Sequence, residues 1–173
     1  MVPILETARL RLRAFRESDL DGQARMLGDP GFMRYLGGKT LTREDSWRRL
    51  LSGAGLWSML GYGYWGVENR ADGAFIGQVG FADFNRDMTP SIEGIPEMGW
   101  VLAPETHGQG FASEAVTAAL DWARQALSGR EIVAIIDPAN TPSIRVAEKA
   151  GFAAREEALY RSDPILLFRR APD

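Results

Sequence analysis

Leu102-Ala103-Pro104-Glu105-Thr106-His107-Gly108-Gln109-Gly110-Phe111-Ala112-Ser113-Glu114-Ala115 is the stretch on which the fold turns. It reads as the end of a strand, a loop of small residues and the start of a helix. Gly108 and Gly110 let the backbone turn with no Cβ in the way, so that N–H groups can face inward. The helix that follows adds its free N–H groups and about half a unit of positive charge. Such a loop seats a pyrophosphate, and the reading is that a phosphate-bearing cofactor sits there. The spacing Gly-x-Gly-x-Ala differs from the dinucleotide fingerprint. On its own, therefore, the loop leaves a plain tight turn open as the alternative.

The elements around it follow from periodicity. Upstream, Glu97 to Leu102 is a strand; downstream, Val116, Leu120, Ala123 and Leu127 form one helical stripe that Gly129 stops. Ile132 to Ile136 is a short apolar strand suited to burial on both faces. Asn140 caps a short helix with Pro142 in its first turn and Gly151 at its end. Phe152 to Leu159 and Ile165 to Arg169 close the chain as strands.

In the first half, Arg9 to Phe15 alternates as a half-buried strand whose arginines form a solvated face. Ser18-Asp19 caps a helix through Leu20, Ala24 and Leu27, ended by Asp29-Pro30-Gly31. Thr42-x-x-Asp45 caps a second helix through Trp47, Leu50 and Leu51. The glycines at 53, 55, 61 and 63 fit poorly with a regular helix throughout. Tyr64 to Glu68 and Ala74 to Phe84 pair through an Asn69–Gly73 turn, and Asn85 to Ile95 is a loop. The order is that of an α+β, or mixed α/β, fold, antiparallel first and with a crossover later. The 173 residues make a single domain, 1–173.

Composition excludes several classes. There is no cysteine, so no disulfide, thiolate nucleophile or thiolate metal site. One histidine makes a zinc or iron site improbable, and no metal is expected. A net charge of −3 argues against a general nucleic-acid binder. No apolar run reaches membrane-spanning length and no signal layout opens the chain, so a cytoplasmic protein, monomer or homodimer, is expected. Gly37-Gly38-Lys39-Thr40 lacks the earlier glycine and the preceding strand of a P-loop.

Further motifs give the loop its context. Asp137 to Phe152 carries Asn140-x-x-Ser143 and ends Lys149-Ala150-Gly151-Phe152, and the chain opens Glu6-Thr7-Ala8-Arg9-Leu10-Arg11-Leu12-Arg13. With His107 to Ala112 and Glu114-Ala115, the combination resembles the GNAT acetyltransferase superfamily. It looks most like the branch of ribosomal-protein N-terminal acetyltransferases, from about Glu6 to Phe168.

The resemblance implies a GNAT fold, with a central mixed, largely antiparallel sheet flanked by helices. It also implies acetyl-CoA as cosubstrate and an N-acetyltransferase activity toward a primary amine, a protein N-terminus or a small molecule. The pyrophosphate would rest on main-chain N–H groups of His107, Gly108, Gln109, Gly110, Phe111, Ala112 and Ser113. The pantetheine arm would pair with Trp100, Val101 and Leu102. A backbone N–H near Met98 to Trp100 would stabilise the oxyanion.

Two positions depart from the pattern. His107 stands where the family has Arg or Gln, and Ala147 stands where many members carry a thiolate-protonating tyrosine. The resemblance leaves Ser143 near the sulfur, with a plain helical-turn role as its alternative, and Asn140 as both cap and pantetheine contact. A thiolate with a pKa near ~8.5 needs little acid help. For the base, Glu97 leads over Glu93, against a reading of Glu97 as a solvated strand start. Trp47, Trp57, Tyr62, Tyr64 and Trp65 line the acceptor pocket in part and the core in part; Trp122, off its helix's stripe, packs under a loop or marks a contact surface. Two rivals stay open: a non-catalytic acyl-CoA-binding or regulatory module, and a nucleotide-phosphate enzyme.

Overall fold

The computed structural model describes residues 1–172. Its strands are β1 (Leu5–Glu6), β2 (Leu10–Arg13), β3 (Tyr64–Asn69), β4 (Phe75–Ala82), β5 (Met88–Thr89), β6 (Glu97–Leu102), β7 (Ile132–Ile136), β8 (Ala154–Tyr160) and β9 (Asp163–Arg170). The helices are α1 (Leu20–Leu27), α2 (Pro30–Met33), α3 (Arg43–Leu60), α4 (Phe111–Ala126) and α5 (Thr141–Lys149). The strands form one sheet in the order β1-β2-β3-β4-β6-β7-β9-β8-β5. Every neighbouring pair is antiparallel except β6 and β7. This is the expected mixed, largely antiparallel α+β arrangement.

Alternation sorts the central strands into two faces. Leu10, Leu12, Trp65, Val67, Val79, Phe81, Met98 and Leu102 point to one side and pack against the apolar stripe of α4, which includes Phe111, Ala115, Val116, Ala119, Leu120 and Ala123. Trp122 is half-buried and packs against this core. Its ring lies 5.4 Å from Trp57, 5.1 Å from Trp65 and 6.1 Å from Phe81, so the expectation that it packs under a loop is corrected, while its exposed part lines the groove beside β1.

The other face carries α1 and α3. There Arg13, unlike the more exposed Arg9 and Arg11, departs from the expected solvated face. Arg13 is buried, donating to both oxygens of Asp19 at 2.8 Å and to Glu68 at 2.7 Å. Asp19 therefore anchors this cluster, and its side chain does not cap α1. Burial works against the Glu68 charge, but the hydrogen bond from Arg13 and the charges of Arg13, Arg16 and Arg11 outweigh it and hold its pKa below the usual carboxylate value.

Helix α3 corrects the doubt raised by its glycines. Thr42 and Asp45 form the expected capping box, and the helix runs unbroken to Gly61, whose φ of 76° ends it. Gly53 has a packing reason: a Cβ there would lie 3.0 Å from the Phe15 ring. The stretch from Asn85 to Ile95 is mostly loop, but Met88–Thr89 pairs with the end of β8 as an edge strand. Two residues are too few for a periodicity to show.

Candidate acetyl-CoA site

Strands β6 and β7 start side by side and then part. Their register holds one pair, Glu97 with Val133, supported by the Val133 N–H donating to Pro96 O at 3.0 Å. Beyond it β6 stays with β4 through Leu102, while β7 stays with β9 through Ile136. The Ala103 N–H donates to Ile76 O at 2.8 Å, which fixes the ladder's phase. Alternation along an antiparallel pair then turns the backbone groups of Val101 toward β4 and those of Trp100 and Leu102 into the gap. Those backbone groups can pair with an extended ligand there as a further strand would.

Because β6 and β7 are parallel, both end on the same edge of the sheet, and both are followed by helix N-termini. Ligands of open α/β sheets bind in such a crevice. After β6 comes a 3-10 turn, Pro104–Thr106, then Gly108 at φ 73° and Gly110 at φ 80°, then α4. A Cβ on Gly108 would meet nothing within 4 Å, so open space adjoins the loop there. The N–H groups of Gly108, Gln109 and Gly110 donate to no partner among the described residues. Those of Phe111, Ala112 and Ser113 are the donors that an α-helix leaves free at its start.

The loop's two polar side chains turn back on the protein. His107 Nε2 donates to Leu102 O at 2.9 Å, and Gln109 Nε2 donates to Glu105 O at 2.9 Å. His107, where the resemblance expects Arg or Gln, thus contributes no side chain to the cradle; it ties the loop to the end of β6. A diphosphate with an extended arm fits what remains: a row of main-chain donors leading into a strand edge on which only Leu102 O is taken, by His107.

A clamp that sequence reasoning missed holds this loop. Glu114 accepts from Thr7 Oγ1 at 2.6 Å, from the Arg9 N–H at 3.0 Å and from Arg9 Nε at 2.7 Å. Arg9 Nη1 also donates to Gln109 O at 2.9 Å, and its guanidinium lies 4.2 Å from the Phe111 ring centre. Burial opposes the Glu114 charge, yet the bonds from Thr7 and Arg9 leave its pKa lowered. The chain start and Glu114-Ala115 were both visible as separate motifs; only the fold joins them.

On α5, Asn140 Oδ1 accepts from the Ser143 N–H at 3.3 Å, the expected cap. The Ser143 hydroxyl and the Asn140 amide NH2 have no partner among the described residues. Ala147 is fully buried, in the same cluster as Phe152, whose ring lies 6.4 Å from Trp100. That position is packed core and offers no acid.

Glu97 is neither solvated nor free. It is buried, and Arg86 donates to it through Nε at 2.5 Å and Nη2 at 2.8 Å. Glu93 is exposed in the loop before it. Tyr62, Tyr64 and Trp65 are buried, and Trp57 is half-buried beside Trp65. Trp47 lines a cavity of about 710 Å³ with Glu17, Leu20, Arg43 and Glu44. A groove of about 1050 Å³ runs between β1 and the outer side of α4, but Glu6, Glu114 and Asp121 line it with no lysine or arginine, which suits no polyphosphate. Among the described residues, no cluster could hold a metal ion and no helix is long and apolar enough to cross a membrane.

Comparison with known proteins agrees with this geometry. Residues 9–153 match the model of the acetyltransferase (GNAT) domain. YkkB of Bacillus subtilis (strain 168) is 33% identical over 96% of this chain and 94% of its own. The crystal structure of an acetyltransferase from Agrobacterium tumefaciens str. C58 superimposes with a TM-score of 0.82 at 28% identity, covering 98% of this chain and 94% of that one. For the ribosomal branch, the ribosomal-protein-S5-alanine acetyltransferase from Vibrio fischeri shares the fold, with a TM-score of 0.71 at 22% identity and coverage of 99% and 97%. The strand splay, the main-chain cradle and these matches lead to one statement: the chain belongs to the GNAT acetyltransferase family.

Proposed function

We propose that the protein is an acetyl-CoA-dependent N-acetyltransferase, and that a primary amine attacks the thioester directly in a ternary complex. The observation that carries this is the parting of β6 from β7 into the open N–H row of Gly108 to Ser113. These N–H groups hold the pyrophosphate, and Trp100 and Leu102 pair with the pantetheine amides. Asn140 adds an amide contact, and Ser143 lies by the sulfur. When bound, acetyl-CoA supplies the activated acetyl group.

The chain's own chemistry is positioning and electrostatics. The amine lone pair forms the C–N bond, the C–S bond breaks, and CoA leaves as thiolate. A Trp100 or Met98 N–H meets the oxygen on which charge develops. Ser143 donates to the sulfur, and with Ala147 in place of tyrosine no stronger acid is needed at neutral pH. Supplying a neutral lysine-like amine, pKa near ~10.4, costs about 4–5 kcal/mol at pH 7, while an α-amine near ~7.7–8 costs about 1 kcal/mol. This favours an α-amine acceptor, whose proton passes to water while the Glu97 carboxylate, fixed by Arg86, attracts the incoming ammonium.

Ala147 and the paired Glu97 also suit a non-catalytic acyl-CoA-binding module, so the test is transfer. With acetyl-CoA and a panel of peptides, free amino acids, polyamines and aminoglycosides, CoA release should exceed hydrolysis for at least one α-amine. Tight acetyl-CoA binding with no release above hydrolysis for any amine would leave the binding module standing.

A further inference from the structure

Tyr64, Gly80 and Gly99 stand in register across β3, β4 and β6. All three point to the α1 and α3 face, and two of the three have no side chain. The tyrosine side chain reaches Gly99, while Gly80 lies against the β3 backbone at Gly63 and Tyr64. A Cβ on Gly80 would come within 2.4 Å of Tyr64 Cα, and a Cβ on Gly99 within 2.2 Å of the Tyr64 hydroxyl oxygen. Gly80 lets β3 and β4 approach closely and Gly99 leaves room for the phenol, which so reaches from β3 to the middle of β6. Gly99 sits between Met98 and Trp100, whose backbone groups face the gap.

The hydroxyl that arrives there is unused. The residue is only 9% exposed, yet its O–H has no hydrogen-bond partner among the described residues. A buried phenol ordinarily finds one. Among the described residues, the only side-chain polar atom fully shut from solvent without a partner is Gln23 Oε1, so the Tyr64 hydroxyl is not sealed off. The groups around it are Glu97 and Arg86, which satisfy each other, and the Phe84 ring, 6.4 Å from that of Tyr64. Burial, with the Glu97 charge, pushes the Tyr64 pKa up. It stays a donor and does not serve as a base.

Resting on the acetyl-transfer reading above, we infer that Tyr64 is a catalytic residue: its O–H donates to the acetyl oxygen as that oxygen takes up negative charge, alongside the β6 main-chain N–H. Proton bookkeeping is unchanged, because the phenol keeps its proton throughout. The hydroxyl thereby supplies from β3 a side-chain donor to the acetyl oxygen, while Ser143 on α5 serves the sulfur.

Tyr64→Phe removes the O–H and keeps the ring. Because that O–H has no partner, the variant should melt like the parent and bind acetyl-CoA within about twofold of it. With the best amine of the panel, kcat should fall about 10²-fold, the usual loss for one such donor. A second readout needs no acceptor: carboxymethyl-CoA, which places a stable carboxylate near the acetyl position. The parent should prefer it over acetyl-CoA relative to Tyr64→Phe by about tenfold. An unchanged kcat with an unchanged preference would overturn the assignment, as would loss of acetyl-CoA binding itself in Tyr64→Phe, which would make the hydroxyl structural. A parent that binds both CoA compounds but acetylates nothing defeats the transfer reading, and with it the catalytic assignment, even if the carboxymethyl-CoA preference persists.

Discussion

Gly110→Val is expected to lower acetyl-CoA affinity by at least about 100-fold while leaving the fold in place. Gly110 has a φ of 80°, a left-handed conformation that costs a non-glycine residue about 1–3 kcal/mol. Space on the protein side is adequate, since a Cβ there would meet only Arg9 Nη2 at 3.5 Å. The damage therefore falls on the ligand side. A branched side chain would rotate the loop and crowd the N–H row, and charge-assisted hydrogen bonds are worth about 1.5–3 kcal/mol each. Losing two of them accounts for the predicted drop. Calorimetric titration with acetyl-CoA reads it, with thermal melting as the control for folding. Gly110→Ala separates strain from obstruction, and its affinity should fall between the two. If Gly110→Val binds acetyl-CoA like the parent, the pyrophosphate does not sit on this loop.

Glu97→Met is expected to destabilise the protein by about 3 kcal/mol, the lower end of the cost of breaking a buried pair, because Arg86 keeps some exposure. Its guanidinium would be left against an apolar side chain at the start of β6. Replacing both, with Arg86→Met and Glu97→Met together, should recover most of that loss, since apolar side chains of similar volume often substitute for a buried pair. The double variant is the informative one for mechanism. With water taking the amine proton, it should keep transfer within about tenfold of the parent. A double variant that folds, binds acetyl-CoA and transfers nothing would make Glu97 the base. Chemical denaturation and steady-state rates on the parent, both singles and the double give the cycle.

The sequence was most legible where a local rule needed no partner from elsewhere. The cradle could be read because Gly108, Gly110 and the α4 stripe are near neighbours, and Thr42 with Asp45 announced α3 for the same reason. What stayed hidden depended on pairs far apart in the chain. Arg13 looked like one more exposed residue of an alternating strand until Asp19 and Glu68 closed around it. Trp122 lay off the helical stripe, yet Trp57, Trp65 and Phe81 extend the core to reach it. Glu97 was placed on the right strand, but its partner Arg86 lies in a stretch with no periodicity. Gly99 carried no visible signal, because it makes room for the side chain of Tyr64 from another strand. The acceptor side shares this difficulty: it is assembled from side chains on separate strands and loops, and no short motif records it.

The most direct measurement is a crystal structure with acetyl-CoA bound. The account predicts the pyrophosphate on the N–H groups of Gly108 to Ser113, the pantetheine amides paired with Trp100 and Leu102, and the sulfur beside Ser143. Acetyl-CoA lying elsewhere, for instance in the groove between β1 and α4, with the gap between β6 and β7 empty, would contradict it.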